Sequence, residues 1–438
     1  MANLERALHF IEQQWIGKTG KPLSPIQKAI LQGSWGEKAI PYHQIATQEN
    51  YSCQYIRQVA APHLWHTLSG VLGEKVSKKS FTSVVKKYLV TRNLDGGFLD
   101  LPGDRLSLDS KLYISRPSIE QLGFQVLSQP GGILSLVGPR KMGKTSLMIR
   151  LLHQARQENM TVIPLSLEQV DTEFLQNIDQ LLQWLIYELY YRLSWSPPEW
   201  NCATDGLGCK SLATRYLENV LNQIESSLVV AIDEFNLLFN HHSIAIDFLR
   251  LLHSWHEFSG YGSPETRSWK KLRFILVTRT DIYAELNIKS APIRIGKSMK
   301  LPYFTTLEID ELANYYRVKL TYSEIEELMW FTGGHPYLVS LSLYTIYQNN
   351  ATLKTVLNAN IEGDPIFKKY LNAYGQILQR NAILLGGFED AIQAEGAVRL
   401  PPFLEFQLES LGLVQSGKNG VRVANGLYRW YFGDRFMT

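Results

Sequence analysis

Short, nearly unbroken apolar runs in this chain alternate with longer stretches whose apolar residues recur every three or four positions. The runs at 133–137 (ILSLV), 161–167 (TVIPLSL), 228–232 (LVVAI) and 273–277 (RFILV) predict buried strands. Helical patterns lie between them, such as the stripe of Phe174, Leu175, Ile178, Leu181, Leu182, Leu185 and Leu189. Strands alternating with helices predict a parallel α/β sheet over residues 105–292. Residues 195–211 read as a surface loop, with Trp195 and Trp200 packing there alongside Trp184.

The flanks carry other patterns. Near the N-terminus, HQIATQENYSCQYIRQVAAPHLWHTL predicts two helices around a short turn. Ile45 and Ala46 face inward on the first, Tyr51 and Ser52 make the turn and cap, and Ile56 and Val59 fix the second. An Asn/Asp/Gly/Pro-rich stretch at 93–104 then reads as a linker. Residues 305–348 read all-helical, and Thr305 with Glu308, and Ser323 with Glu326, each fit a capping box. The last ninety or so residues are helical until a helix runs into two short alternating segments around Gly417 and Gly420, the pattern of a helix with a β-hairpin wing. Four divisions follow: 1–95 all-α, 105–292 α/β, 293–348 a helical lid, and 349–438 a winged helix.

Composition narrows the class. With 45% hydrophobic and 19% charged residues the chain can build real cores. No apolar run approaches the roughly 18 residues of a membrane span. Glu5, Arg6 and Glu12 interrupt the N-terminal stretch, which argues against a secretory signal. Cys53, Cys202 and Cys209 show no CxxC spacing, so a reduced, cytoplasmic protein is expected. The net charge is only +3, but residues 1–95 hold 12 Lys/Arg against 6 Asp/Glu. That local excess suits a module that meets a polyanion.

The sharpest chemistry is GPRKMGKTS, where Gly138, Gly143, Lys144 and Thr145 satisfy GxxxxGK[ST]. Glycines let backbone N–H groups curl around phosphate oxygens, and the following helix, opening through Ser146, offers its positive end. Lys144 is expected on the β- and γ-phosphates and the Thr145 hydroxyl on Mg²⁺. SSLVVAIDEF ends a strand with Asp233, placed for the Mg²⁺ shell, and Glu234, placed to polarise the attacking water. The strand at 161–167 favours the branch of such ATPases with an extra strand between the two motif strands. Thr278 and Arg279, just past the 273–277 run, are expected to sense the γ-phosphate. The expected ligands are therefore ATP or ADP with Mg²⁺. His241 and His242 have no third ligand at metal spacing, and Cys202 and Cys209 sit seven apart in the loop without a recognisable motif.

Taken together, LYISRPSIE, GPRKMGKTSL, LVVAIDEFNLLF, FLRLLHSWHE, WKKLRFILV, TGGHPYLVSLSLY and LESLGLV with LYRWYF closely resemble the cyanobacterial AAA-like domain proteins. These belong to the STAND class of signal-transduction ATPases, related to AAA+ and NB-ARC switches. The resemblance covers about 105–435, and residues 23–81 resemble the helix-turn-helix that often precedes such ATPases. It implies a multidomain α/β fold: a P-loop core of the AAA-like type with helical lid and winged helix, preceded by an all-α helix-turn-helix domain. It also implies that Arg116 lies near adenine, although Ser115 stands where the family has glycine. Pro336, in GGHP with Gly334, would pack on the base from the lid. TRTDIY departs from the family's STExY, and its Arg279 resembles the NB-ARC γ-phosphate contact.

In the N-terminal module the second helix can offer Ser52, Gln54, Tyr55 and Arg57 to a major groove, with Cys53 and Gln58 beside them. Lys78 and Lys79, with Lys75, Lys86 and Lys87, could supply phosphate contacts. Two functions stand open: a nucleotide-switched DNA-binding regulator, and a signalling or defence hub whose N-terminal module docks a separate effector or sensor protein. A DNA-handling ATPase for transposition or replication is a third. In each, nucleotide-dependent homo-oligomers are expected, and no membrane.

Overall fold

Four of the five strands of the central sheet start within a residue of where the apolar runs put them. They are β1 Ile133–Gly138, β2 Thr161–Ser166, β3 Leu228–Asp233 and β4 Leu272–Arg279. The fifth, β5 Lys297–Lys300, is a short polar strand in which only Met299 is buried. The computed structural model describes residues 8, 11–12, 15, 22–35, 40–49, 51–72, 75–85, 100–202, 208–286, 288, 295–362 and 367–436. The linker expected at 93–104 lies outside these as far as residue 99, as do Lys86 and Lys87. Among the described residues no helix is long and apolar enough to cross a membrane.

All five strands are parallel, in the order β2-β3-β4-β1-β5. An extra strand does separate β1 from β3, but it is β4; the strand at 161–166 is at the sheet edge. The fifth strand falls beyond residue 292, so the sheet outlasts the boundary expected for the core. Central strands of a parallel sheet bury both faces, which is why β3 reads LVVAID with every residue buried. Period-2 alternation then builds two cores. Val229, Ala231, Ile275 and Val277 pack with Leu147, Leu151 and Leu152 on one face. Leu228, Val230, Phe274 and Leu276 pack with Leu182, Leu185, Phe248 and Trp255 on the other.

Two local expectations change. The stripe from Phe174 to Leu189 is broken, because Asn177 is extended and its side chain accepts from the Asp179 N–H, capping the helix Ile178–Arg192. The second lid capping box is Thr321 with Glu324 rather than Ser323 with Glu326. Both pairs satisfy the spacing, but Thr321 is the residue in extended backbone, and Ser323 already lies in the first turn of Tyr322–Thr332. The box at Thr305 and Glu308 forms as expected.

The chain divides into two compact units, residues 1–99 and 100–438. In the first, Ser24 and Gln27 box the helix Pro25–Gly33, and Tyr42–Gln48 follows. Ser52 caps Cys53–Tyr55, which continues through a wider π turn, Ile56–Ala60, into Ala61–Leu72. Ile45, Ala46, Ile56, Ala60, Leu64 and Leu68 are buried, but Val59 is 53% exposed. Ala60, four residues after Ile56, takes the inward place expected for Val59. In the second unit the C-terminal helix Pro402–Leu411 ends on left-handed Gly412 and leads into the antiparallel pair β6 Val414–Gly417 and β7 Gly420–Val423. The helix Gly426–Phe436 closes the chain.

Candidate functional site

The end of β1 and the loop after it carry the two glycines of the GxxxxGK[ST] pattern. Gly143 has φ of 90°, and a Cβ placed there or at Gly138 would meet nothing within 4 Å, so both glycines face open space. The helix Lys144–Gln157 starts at the loop's end with no side-chain cap on its N-terminus. Lys144 is buried, and its Nζ donates to the carbonyls of Gly138 at 2.9 Å and Pro139 at 2.6 Å. Burial pushes its ammonium down to about 8 against partial support from Asp281 and Glu234, so it still carries charge at neutral pH.

Opposite stands the end of β3. Thr145 Oγ1 donates to Asp233 Oδ2 at 3.0 Å, and the Glu234 N–H donates to Asp233 Oδ1 at 2.9 Å. Burial raises the Asp233 carboxyl above its usual range, and the hydrogen bonds from the Glu234 N–H and Thr145 oppose it. Glu234 sits in left-handed backbone, φ 53°. Its Oε2 accepts from Asn236 Nδ2 at 3.1 Å and pairs with Arg279 Nε at 3.2 Å. Asn236 Oδ1 in turn accepts from the Arg279 N–H.

Lys144, Thr145, Asp233, Glu234 and Arg279 line one cavity of about 560 Å³, together with Gly143, Ser146, Arg116 and Pro336. Gly138 stands at the loop's foot. Thr278 does not reach this cavity. Successive residues of β4 point to opposite faces, so Val277 and Arg279 line it, while Thr278 lines a second cavity on the far side of the sheet. Arg116 is half-buried with its guanidinium 4.9 Å from the centre of the Phe304 ring, and its backbone N–H donates to Glu120. Glu120 also accepts from Tyr113 and Ser115, so Ser115 supplies a hydroxyl to this turn. Pro336 opens a helix after left-handed Gly333 and Gly334. Beside it His335 is buried, bonded to Tyr370, and pushed down to about 3 by burial and the Lys144 charge; it is neutral.

Two features escape a reading of the sequence. Arg140, inside the GxxxxGK loop, pairs with fully buried Asp281 and with Glu285, tying that loop to the end of β4; the only hint is the Asp in TRTD. Residues 100–104, expected as the end of the linker, line the cavity with Arg105 and Leu106 instead. Leu106 N–H donates to Ser146 Oγ at 3.0 Å, Lys141 Nζ to the Gly103 carbonyl at 2.7 Å, and Arg150 to the carbonyls of Leu106 and Ser107. A run of backbone-mediated contacts leaves little trace in side-chain pattern.

A profile of the AAA-like domain family matches residues 101–434. The chain belongs to the AAA-like domain family. Residues 2–88 match a second family, the N-terminal helix-turn-helix of vWA-MoxR associated proteins. This AAA-like protein is 24% identical over 368 residues to an uncharacterized WD repeat-containing protein of Synechocystis sp., covering 77% of the chain but 30% of that relative. The chain thus spans about 30% of the length of the curated relative it matches. Among solved structures it is similar to a Walker-type ATPase of Pyrococcus abyssi, at 16% identity, 73% of this chain, 95% of that one and a TM-score of 0.49. It is also similar to the ORC2 protein of Aeropyrum pernix, at 15% identity, 79% and 98% coverage and a TM-score of 0.36. A STAND protein with a tetratricopeptide repeat sensor from Pyrococcus horikoshii follows at 15% identity, 77% and 44% coverage and a TM-score of 0.31.

In the helix-turn-helix unit, Ser52, Gln54, Tyr55, Arg57 and Gln58 are exposed together and Cys53 is half-buried. Lys78 is half-buried. Its ammonium is bonded to the Ile40 carbonyl and lies 3.9 Å from the centre of the Tyr42 ring. Lys79, next on the same turn, is exposed.

Proposed function

We propose that this AAA-like protein is an ATP-binding, slowly hydrolysing switch whose nucleotide state controls DNA binding by its N-terminal helix-turn-helix. The observation that carries the reading is the convergence of Lys144, Thr145, Asp233, Glu234 and Arg279 with Arg116 and Pro336 on one cavity. The residues fit a magnesium nucleotide. Lys144 and the loop N–H groups would hold phosphate, Thr145 and Asp233 the Mg²⁺, and Arg116 and Pro336 the base. Mg²⁺ supplies charge neutralisation on the phosphates when bound. Glu234 would orient the water and accept its proton, once released from Arg279 and Asn236.

The C-terminal segment is placed to report on the site. Thr280 Oγ1 donates to the Ser410 carbonyl at 2.7 Å, Gln407 Nε2 to the Ile288 carbonyl at 3.2 Å, and Lys300 pairs with Glu409. A Cβ on Gly412 would come within 2.8 Å of Pro139, in the phosphate-binding loop itself. We assign 105–300 to the ATPase core, the helices to 348 to a lid, and 349–438 to a winged helix that ADP holds closed. ATP would favour an open, self-associating form, since only differential affinity shifts such an equilibrium.

DNA binding has its own test on the full chain. Duplex affinity should fall steeply with salt, each neutralised phosphate adding about 0.9 to the log–log slope. Lys79→Ala should flatten the slope by about that much, and Lys78→Ala should leave it unchanged, because that ammonium is already engaged. Gln54 and Arg57 substitutions should relax preference at particular base pairs. A second reading, docking of an effector protein, is favoured by exposed Tyr51, just before the helix that Ser52 caps, and exposed Tyr55 and Val59 beyond it, with the tyrosine rings stacked 6.0 Å apart. Weak duplex binding without sequence preference would select it.

A further inference from the structure

Away from the nucleotide cavity, the fold brings Cys202 and Cys209 beside a carboxylate from another helix, a cluster that the sequence spacing does not announce. A ligand atom from each of Asp179, Cys202 and Cys209 lies within 4.8 Å of the other two, and all three residues are half-buried. Asp179 is at the second position of the helix Ile178–Arg192, and Cys209 opens the helix Cys209–Gln223. Cys202 arrives from the loop. Three details make this more than proximity. Trp200 Nε1 donates to Asp179 Oδ1 at 2.7 Å, fixing the carboxylate and leaving its second oxygen for another partner. The Trp200 ring packs on Tyr216, 6.0 Å between centroids, and Tyr216 donates to the Glu199 carbonyl at 2.6 Å, so the loop is held on the second helix just before Cys202. The helix that begins at Cys209 has no side-chain cap, and its free N–H groups favour negative charge at that end.

We propose that Asp179, Cys202 and Cys209 form a binding site for a thiophilic divalent cation of the zinc type, with solvent water as the fourth ligand. Two sulfurs and one carboxylate oxygen suit zinc or cobalt and disfavour magnesium or calcium, which take oxygen. Binding breaks two S–H bonds and forms two metal–sulfur bonds, and the two protons go to solvent, so affinity weakens as pH falls. Two thiolates, one carboxylate and a divalent ion sum to a single negative charge, which the uncapped N-terminus of Cys209–Gln223 favours. The site would clamp the loop across the start of both helices.

The test uses the full chain, reduced and stripped with chelator, titrated with Co²⁺ alone. The proposal expects one equivalent to bind with a thiolate-to-cobalt charge-transfer band, and Zn²⁺ to displace it. Cys202→Ser and Cys209→Ser should each abolish the band, and Asp179→Asn should weaken affinity at least about tenfold while keeping it. Thiol alkylation of the parent supplies a readout independent of variant folding: Zn²⁺ should protect Cys202 and Cys209 and leave the reactivity of Cys53 unchanged. Three results would overturn the site. They are no charge-transfer band in the parent, a band that survives in the Cys202→Ser/Cys209→Ser double variant, or equal alkylation of all three cysteines with and without Zn²⁺.

Discussion

Glu234→Gln should keep Mg-ATP bound and lose at least about 10²-fold in hydrolysis rate, the usual worth of a positioned base. The substitution preserves size and the acceptor that Asn236 uses, but an amide cannot take a proton from water. It also removes the ion pair to Arg279. The variant therefore separates two roles of the carboxylate. If hydrolysis alone falls, Glu234 acts as the base. If nucleotide affinity falls with it, the Glu234–Arg279 pair is organising the phosphate end of the cavity instead. Steady-state phosphate release, with nucleotide occupancy measured in parallel, distinguishes them. A parent that hydrolyses nothing in any assembly state would make the protein a binding-only switch.

Lys144→Ala should lower ATP affinity at least tenfold, about 1.4 kcal/mol, by calorimetry. The ammonium is buried and donates to the carbonyls of Gly138 and Pro139, which a phosphate oxygen can join or replace. Its lowered pKa says that the folded chain pays to keep this charge desolvated. Stability of the variant should therefore hold or rise while binding collapses. A variant that loses both has lost the loop's fold, whereas unchanged ATP affinity would contradict the site.

The parts of this site that were legible in the sequence are those fixed by local backbone. A glycine loop between a buried strand and a helix needs no distant partner, so 133–157 reads correctly from pattern alone. Strand alternation even separates Arg279 from Thr278, once β4 is known to run through Arg279. What was not legible depends on tertiary contact. The strand β5 is an edge strand of alternating polar residues, with too little apolar signal to stand out. Residues 100–104 carry the Gly, Pro and Asp of a linker, and only contacts from Lys141 to Gly103, and from Ser146 and Arg150 to the adjoining Leu106 and Ser107, tie the stretch down. Lys78 looks like any surface lysine until Ile40 and Tyr42 fold against it. Likewise the spacing of Cys202 and Cys209 matters only after Asp179 is brought beside them from another helix.

The central claim, that nucleotide state governs the N-terminal reader, is tested most directly by duplex affinity of the full chain. The duplex is one selected by the protein from a random pool. Anisotropy titrations run at fixed salt, once with ADP and once with a non-hydrolysable ATP analogue, each shown to be bound. The account predicts dissociation constants that differ by about tenfold or more, a coupling of about 1.4 kcal/mol, and a difference that disappears in Lys144→Ala. Equal affinities with both nucleotides bound would contradict it.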